Sequence, residues 1–346
     1  MNSKERTFAA IKGIPDKIPF NPFIMHMAAT LSTVEYNSEY VRKPKVLVES
    51  QIKCANFFGI DHLNVSTDAF REASAWGVEI NWKGHTPNAK TFLKLENFDS
   101  IEPPDLLGNV RIMNRVRAVG LMTDHTKGEQ CVVGWIEAPF AEICCLFGVM
   151  DVLMIPRKDW VNKVKKLMER ILPTQIEFAK LQIETGADII GAGDSIVSQI
   201  GPKKYKNACL EVTQKLFFEI KKHVPVLYHT CGNNSGIDRE GNDMLQLIGS
   251  TGCDVLDIDY QVDMETAKQK IGEKVCLRGN VNTQILGSEH YSAEDVEKEV
   301  RKNIAAGKPG GKFMLAAGCE SPWAPKELAI RNLKIMKDLN EKMGIY

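Results

Sequence analysis

Short apolar runs that stop and return at regular intervals, with amphipathic stretches between them, constrain this chain more than any other feature. The runs are Ile18–Ile24, Ile60–Ser66, Cys131–Ala138, Asp188–Asp194, Val224–Cys231, Asp254–Tyr260, Val275–Val281 and Lys312–Ala317. Each is too short for a buried helix and is bounded by turn residues, so each reads as a strand. Arg157–Thr185, Tyr205–His223, Asp243–Thr251, Ser292–Ala306 and Pro325–Met343 read as helices. The first of these carries Val161, Val164, Leu167, Ile171, Ile176, Phe178 and Leu181 as one stripe. Strand, helix, strand, repeated, means a parallel α/β sheet. About eight such units favour a closed (β/α)8 TIM barrel, with an open doubly wound sheet as the alternative. No Gly-x-Gly-x-x-Gly opens a helix, so the dinucleotide-binding version gains no support. The expectation is one barrel domain over residues 1–346, with 67–104 as an insertion after the second strand. Within it Trp76–Trp82 and Thr91–Leu95 read as a small strand pair, serving as a lid or as a homodimer contact.

A barrel of this type carries its reacting groups at the C-terminal ends of its strands. Those ends here hold His26, Glu137, Asp194, His229, Cys231, Asp259, Asn280 and Cys319. His229 and Cys231 are two apart on an extended run and therefore share a face, while Cys319 ends a different run. One imidazole and two thiolates suit Zn²⁺, and three protein ligands leave a tetrahedral position open to substrate. The other seven cysteines read as core packing. In a purely structural zinc site Glu320 is the candidate fourth ligand, although neighbours on an extended chain point opposite ways.

The remaining polar ends each have two readings. Glu137 is a pocket acid or a helix cap, and Glu142 is a first-turn helix acid. Asp194 is a catalytic residue, orienting the zinc-bound imidazole or meeting substrate, or else an N-cap; Asp259 divides between substrate binding and the same alternatives. His26, Met25 and Asn280 are candidate substrate contacts, Asn280 also a loop fixer, and Phe23, Met25 and Met27 make an apolar wall.

Composition limits the partners. The 44 basic and 44 acidic residues cancel, which argues against a broad electrostatic surface for nucleic acid or anionic membrane. No stretch approaches the ~20 apolar residues needed to span a bilayer. Nine irregularly spaced cysteines and a charged start, Met1-Asn-Ser-Lys-Glu-Arg6, lead to an expected cytoplasmic location.

Six stretches carry a resemblance: Gly134–Glu142, Gly186–Asp194, His229-Thr-Cys-Gly-Asn233, Asp257-Ile-Asp259, Arg278-Gly-Asn-Val281 and Ala317-Gly-Cys-Glu-Ser-Pro322. In these the chain resembles the uroporphyrinogen decarboxylase superfamily, and within it the zinc-dependent methyltransferases that work with corrinoid proteins. The resemblance implies zinc on His229, Cys231 and Cys319, and a corrinoid (cobalamin) carried by a separate corrinoid-binding protein. The other partner is then a small methylated substrate or a thiol acceptor. The decarboxylases proper carry arginines after the first strand to hold an acidic tetrapyrrole; Phe23-Ile-Met-His-Met-Ala-Ala29 has none. Thiol-directed members have no acid where this chain has Glu137. The expectation is demethylation of a methyl ether such as a methoxylated aromatic; transfer from methylcobalamin to a thiol and metal-free decarboxylation are the alternatives.

Overall fold

The computed structural model describes Met1–Tyr346. Its strands are β1 (His62–Asn64), β2 (Ile80–Asn81), β3 (Asn88–Ala89), β4 (Cys131–Glu137), β5 (Ile189–Asp194), β6 (Val226–Thr230), β7 (Val255–Ile258), β8 (Cys276–Val281) and β9 (Phe313–Ala317). Seven of them form one sheet in the order β1-β4-β5-β6-β7-β8-β9, every neighbouring pair parallel. Helices cross between them, among them Val110–Thr126, Trp160–Glu184, Leu210–Lys221 and Ala293–Gly307, with Lys326–Met343 following β9. Helices on the outer face and a filled interior bury the strands on both sides, which is why these sequences are continuously apolar instead of alternating. All residues of β4, β5, β6, β8 and β9 are buried. No helix is long and apolar enough to cross a membrane.

The first expected strand, Ile18–Ile24, is not a member of the sheet. Pro19 and Pro22 lack the N–H that a ladder needs, so the segment makes isolated contacts only. Phe20 bridges Leu315 of β9 in parallel, and Asp61, just ahead of β1, donates its N–H to the Phe20 carbonyl at 3.0 Å. The strand pair expected in 67–104 is present but shifted. Ile80–Asn81 pairs antiparallel with Asn88–Ala89, and Thr91–Leu95 instead leaves the hairpin, Leu93 N–H donating to Leu146 O at 2.8 Å. The hairpin is held against the rest of the chain by Trp82, whose ring lies under the Arg42 guanidinium at 3.9 Å, and by Asn37, which donates to the Trp82 and Gly84 carbonyls.

Strand register fixes what meets what. Paired residues of adjacent parallel strands share a face. Reading across the sheet, Glu137 pairs with Gly193, Gly193 with His229, His229 with Asp257, Asp257 with Arg278, and Arg278 with Met314. One interior layer therefore carries an acid, an imidazole, a second acid and a guanidinium. Glycine makes room in it: a Cβ on Gly193 would stand 2.8 Å from Glu137 Oε2, and one on Gly191 would strike the Trp135 ring.

Candidate metal centre

β6 runs out through His229 into Cys231, and the turn after β9 delivers Cys319. His229 Nε2 is 3.1 Å from Cys231 Sγ, and the two sulfurs are 3.7 Å apart. The three ligand atoms all lie within 4.8 Å of one another. Two thiolates bound tetrahedrally at about 2.3 Å from zinc stand about 3.8 Å apart, so the donor set and its spacing fit that ion. Hydrogen bonding from Cys231 holds the Cys319 thiol down to about 4, while the same contact raises Cys231.

The imidazole is fixed from behind. His229 Nδ1 meets Asp257 Oδ2 at 2.7 Å, and Arg278 closes a two-pronged fork on the same carboxylate through Nε and Nη2. Burial pushes the Asp257 carboxyl up, but the Arg278 charge and the His229 contact outweigh it and hold it below the ordinary range. Nδ1 bound to a carboxylate leaves Nε2 for a metal, the usual arrangement of a ligating histidine. Phe23 stacks on Trp135 with ring centroids 4.8 Å apart, and both rings flank His229, at 5.1 and 6.0 Å. The interior beside the trio is therefore apolar and aromatic.

Glu137 lies on the same layer, buried, with Oε1 2.7 Å from Arg71 Nη2. Its backbone N–H donates to Glu72 Oε1 at 2.7 Å, and its carbonyl accepts from Gln175. Burial, opposed by Arg71 and reinforced by Glu72, raises its carboxyl above the ordinary range. The orientation is that of an interior acid, not of a cap on the helix that follows.

Other expected site residues are placed elsewhere. Asp194 pairs with Thr230, so its side chain is on the helix-facing side, where Tyr228 Oη donates to Oδ2 at 2.9 Å and Tyr228 in turn packs on Phe217. What it contributes to the trio is its backbone carbonyl, which accepts the Cys231 N–H at 3.3 Å. Asp259 holds the turn after Cys231, accepting from Gly232 N at 2.8 Å and Gln261 N at 2.9 Å. It does not reach His229, whose orienting acid is Asp257. Asn280 donates to the Asp259 and Val262 carbonyls and accepts from Asn303 Nδ2, which engages it in the loop after β7.

His26 is clamped. Its backbone N–H and Nδ1 both meet Glu320 Oε1 at 2.8 Å, its Nε2 meets His85 O and Thr86 Oγ1, and its ring stacks between Tyr36 and Trp323. Glu320 is thereby occupied away from the trio, and the hairpin of 67–104 is tied to the Cys319 turn through one imidazole. Met25, half-buried, stands beside it against the apolar core.

Sequence reasoning passed over Asp257, Arg278, Arg71 and Glu72 as functional groups. Asp257 was findable: it lies two residues before Asp259, on a strand neighbouring the His-x-Cys strand. Arg71 and Glu72 gave no such signal, because they lie on the short helix Arg71–Ala75, outside the periodic pattern.

Residues 2–341 match the profile of the uroporphyrinogen decarboxylase (URO-D) family. A uroporphyrinogen decarboxylase from Geobacter sp. (strain M21) is 23% identical over 312 residues, covering 88% of each chain. That of Trichlorobacter lovleyi is 24% identical over 312 residues, covering 88% of this chain and 87% of the relative. Among solved structures a methyltransferase from Methanosarcina mazei superposes with a TM-score of 0.85 at 20% identity, covering 99% of both chains. A B12-independent methionine synthase from Shewanella sp. W3-18-1 gives 0.58 at 13% identity, covering 94% of this chain and 97% of the other. At such identities the structural likenesses concern the fold.

Proposed function

The chain belongs to the uroporphyrinogen decarboxylase family, and from that premise we propose that it is a zinc-dependent methyltransferase that moves a methyl group between a small substrate and the cobalt of a corrinoid protein. The direction we propose is demethylation of a methyl ether such as a methoxylated aromatic. The observation that carries this reading is the soft trio of His229, Cys231 and Cys319, backed by the Asp257–Arg278 pair. Decarboxylation of a many-acid tetrapyrrole draws no comparable support. The buried guanidiniums of Arg71 and Arg278 are engaged by Glu137 and Asp257, and Arg115 donates to the Val41 and Val65 carbonyls.

Bound zinc supplies Lewis-acid activation of the ether oxygen. The chain's own groups do the rest. Asp257 keeps the His229 imidazole in one tautomer and one orientation. Phe23 and Trp135 offer aromatic faces to an arene, which stacks at little cost on an apolar wall. Glu137 delivers a proton to the oxygen that loses its methyl group. The barrel is read as closed, with 18–24 as its eighth stave and 67–104 as an insertion over its rim. The corrinoid protein docks at that rim, where Met150, Met154 and Ile237 stand exposed in the segments after β4 and β6.

Elemental analysis of the purified protein, combined with an assay of cob(I)alamin methylation by methoxylated aromatics, methanol and methylamines, tests metal and reaction together. Stoichiometric zinc and methylation by an aryl methyl ether are the expected results. Activity confined to thiol methylation by methylcobalamin reverses the direction, and absence of zinc overturns the proposal.

A further inference from the structure

Beside Glu137 the fold buries more carboxyl groups than guanidinium groups. Arg71 is central: Nη2 is 2.7 Å from Glu137 Oε1, and Nε is 3.2 Å from Glu72 Oε2, close but not aligned for a hydrogen bond. Arg111 Nη2 spans both oxygens of Asp68, at 2.9 and 2.7 Å, and Arg115 keeps its donors on backbone carbonyls. Glu142, in the first turn of the helix Pro139–Phe147, is 0% exposed, and neither of its oxygens has a partner. Four carboxyl groups (Asp68, Glu72, Glu137, Glu142) therefore face three guanidiniums, and the set is neutral with one added proton. An ionised carboxylate without donors is strongly disfavoured in an interior, so the proton belongs on Glu142. Cys145 on the same helix, Gln175 on Trp160–Glu184 and Thr67, which donates to Asp68 Oδ2 at 2.9 Å, are polar groups beside the acids that add no charge.

We propose that this set stores one proton at neutral pH, seated on Glu142, and that Glu142 is a positioning residue through which Glu137 is supplied with the proton it delivers to the substrate. The inference rests on the demethylation reading above. Glu137 is the delivering member because a strand carries it on the face shared with His229. In the step, the methyl C–O bond breaks with its electron pair left on oxygen. The methyl group is taken by the reduced cobalt of the partner's corrinoid, which supplies the electron pair of the new bond. The oxygen takes the proton from the set, and solvent restores it after product leaves. Burial and the neighbouring acids raise the carboxyl groups of Glu142 and Glu137, in the direction the count requires.

Infrared spectroscopy of the full-length, zinc-loaded protein at pH 7 reads the protonated carboxyl C=O band directly. The difference between wild type and Glu142→Gln should contain one such group. No band in that difference overturns the proposal. Glu142→Met, which asks for no donor, provides the same difference if the Gln variant does not fold. The pH profile of cobalamin methylation is the second readout. Its alkaline limb should move to lower pH in Glu142→Gln, with a loss of about tenfold at a fixed pH on that limb for each unit moved, and with KM for the ether unchanged. An unmoved limb overturns the link between Glu142 and delivery. Absence of methyl transfer to any corrinoid sinks the reaction reading and the delivery step with it, whereas the infrared difference decides the stored proton by itself.

Discussion

The two sides of the interior layer are built from similar residues and treat charge in opposite ways. On the β6–β8 side, imidazole, carboxylate and guanidinium stand in a row, each satisfied by the next: His229 on Asp257, Asp257 on Arg278. On the β4 side Arg71 is shared among Glu137, Glu72 and the Asp68 carbonyl, and Glu142 is left with nothing. A fully paired buried network fixes geometry, because each member loses a contact if it moves. An unpaired buried acid cannot do that, and its inexpensive state is the neutral one. The first side is thus suited to holding an ion in place and the second to holding a proton.

Substitution of Cys319 by Ser is expected to have the largest effect, because it removes a ligand from a site that has only three. Zinc content should fall from one per chain to near zero and methyl transfer to background, by elemental analysis and the cobalamin assay. Thermal melting should change little, since the sheet does not depend on the ion; a collapse of the fold on chelation would mark the site as structural instead. Glu137→Gln comes next and touches only the other side. Zinc should stay bound while transfer slows by about 10²–10⁴-fold, the usual span for loss of a positioned acid. Zinc loss in that variant would erase the distinction between the two sides.

Asp257→Asn tests whether the paired row is what fixes the imidazole. Zinc affinity should drop by about 10–100-fold, measured by chelator competition. Part of any loss of stability will come from Arg278, left buried without its counter-charge. Unchanged affinity would mean that the strand alone orients His229.

These two sides were not equally legible in the sequence. The trio was readable because strand periodicity is local: His229 and Cys231 must share a face, and the Gly-Cys turn after Phe313–Ala317 must open at the same end. Seven of eight strands were placed for the same reason, while in Ile18–Ile24 two prolines interrupt the ladder and leave isolated bridges in place of a continuous strand. Asp194 and Asp259 were credited with roles at the imidazole because a strand end does not reveal which way its last residue faces. For Asp194 the register with Thr230 decides that, and register is a long-range property, while Asp259 lies past the end of β7 and is taken up by turn N–H groups. The acid side was nearly invisible. Glu142 looked like a helix-terminal acid, which it also is, and only burial against Arg71–Ala75, some seventy residues earlier, changes its meaning.

The smallest effect concerns stability alone and follows from the sign of the shift on Glu142. Its carboxyl is raised in the folded protein by burial and by Glu72 and Glu137, so the folded state binds the proton more tightly than the unfolded chain does. Stability from this group is fully present below the ordinary carboxyl range. It is lost as pH rises from there toward the folded-state value, by at most about 1.4 kcal/mol per pH unit for one group. Asp257, held low by Arg278 and His229, has the opposite sign and loses stability as pH falls. Urea unfolding between pH 5 and pH 8 should therefore show wild type losing stability relative to Glu142→Gln as pH rises. Parallel curves for the two proteins would mean that Glu142 is ionised already, and that the two sides of the layer differ in geometry but not in charge.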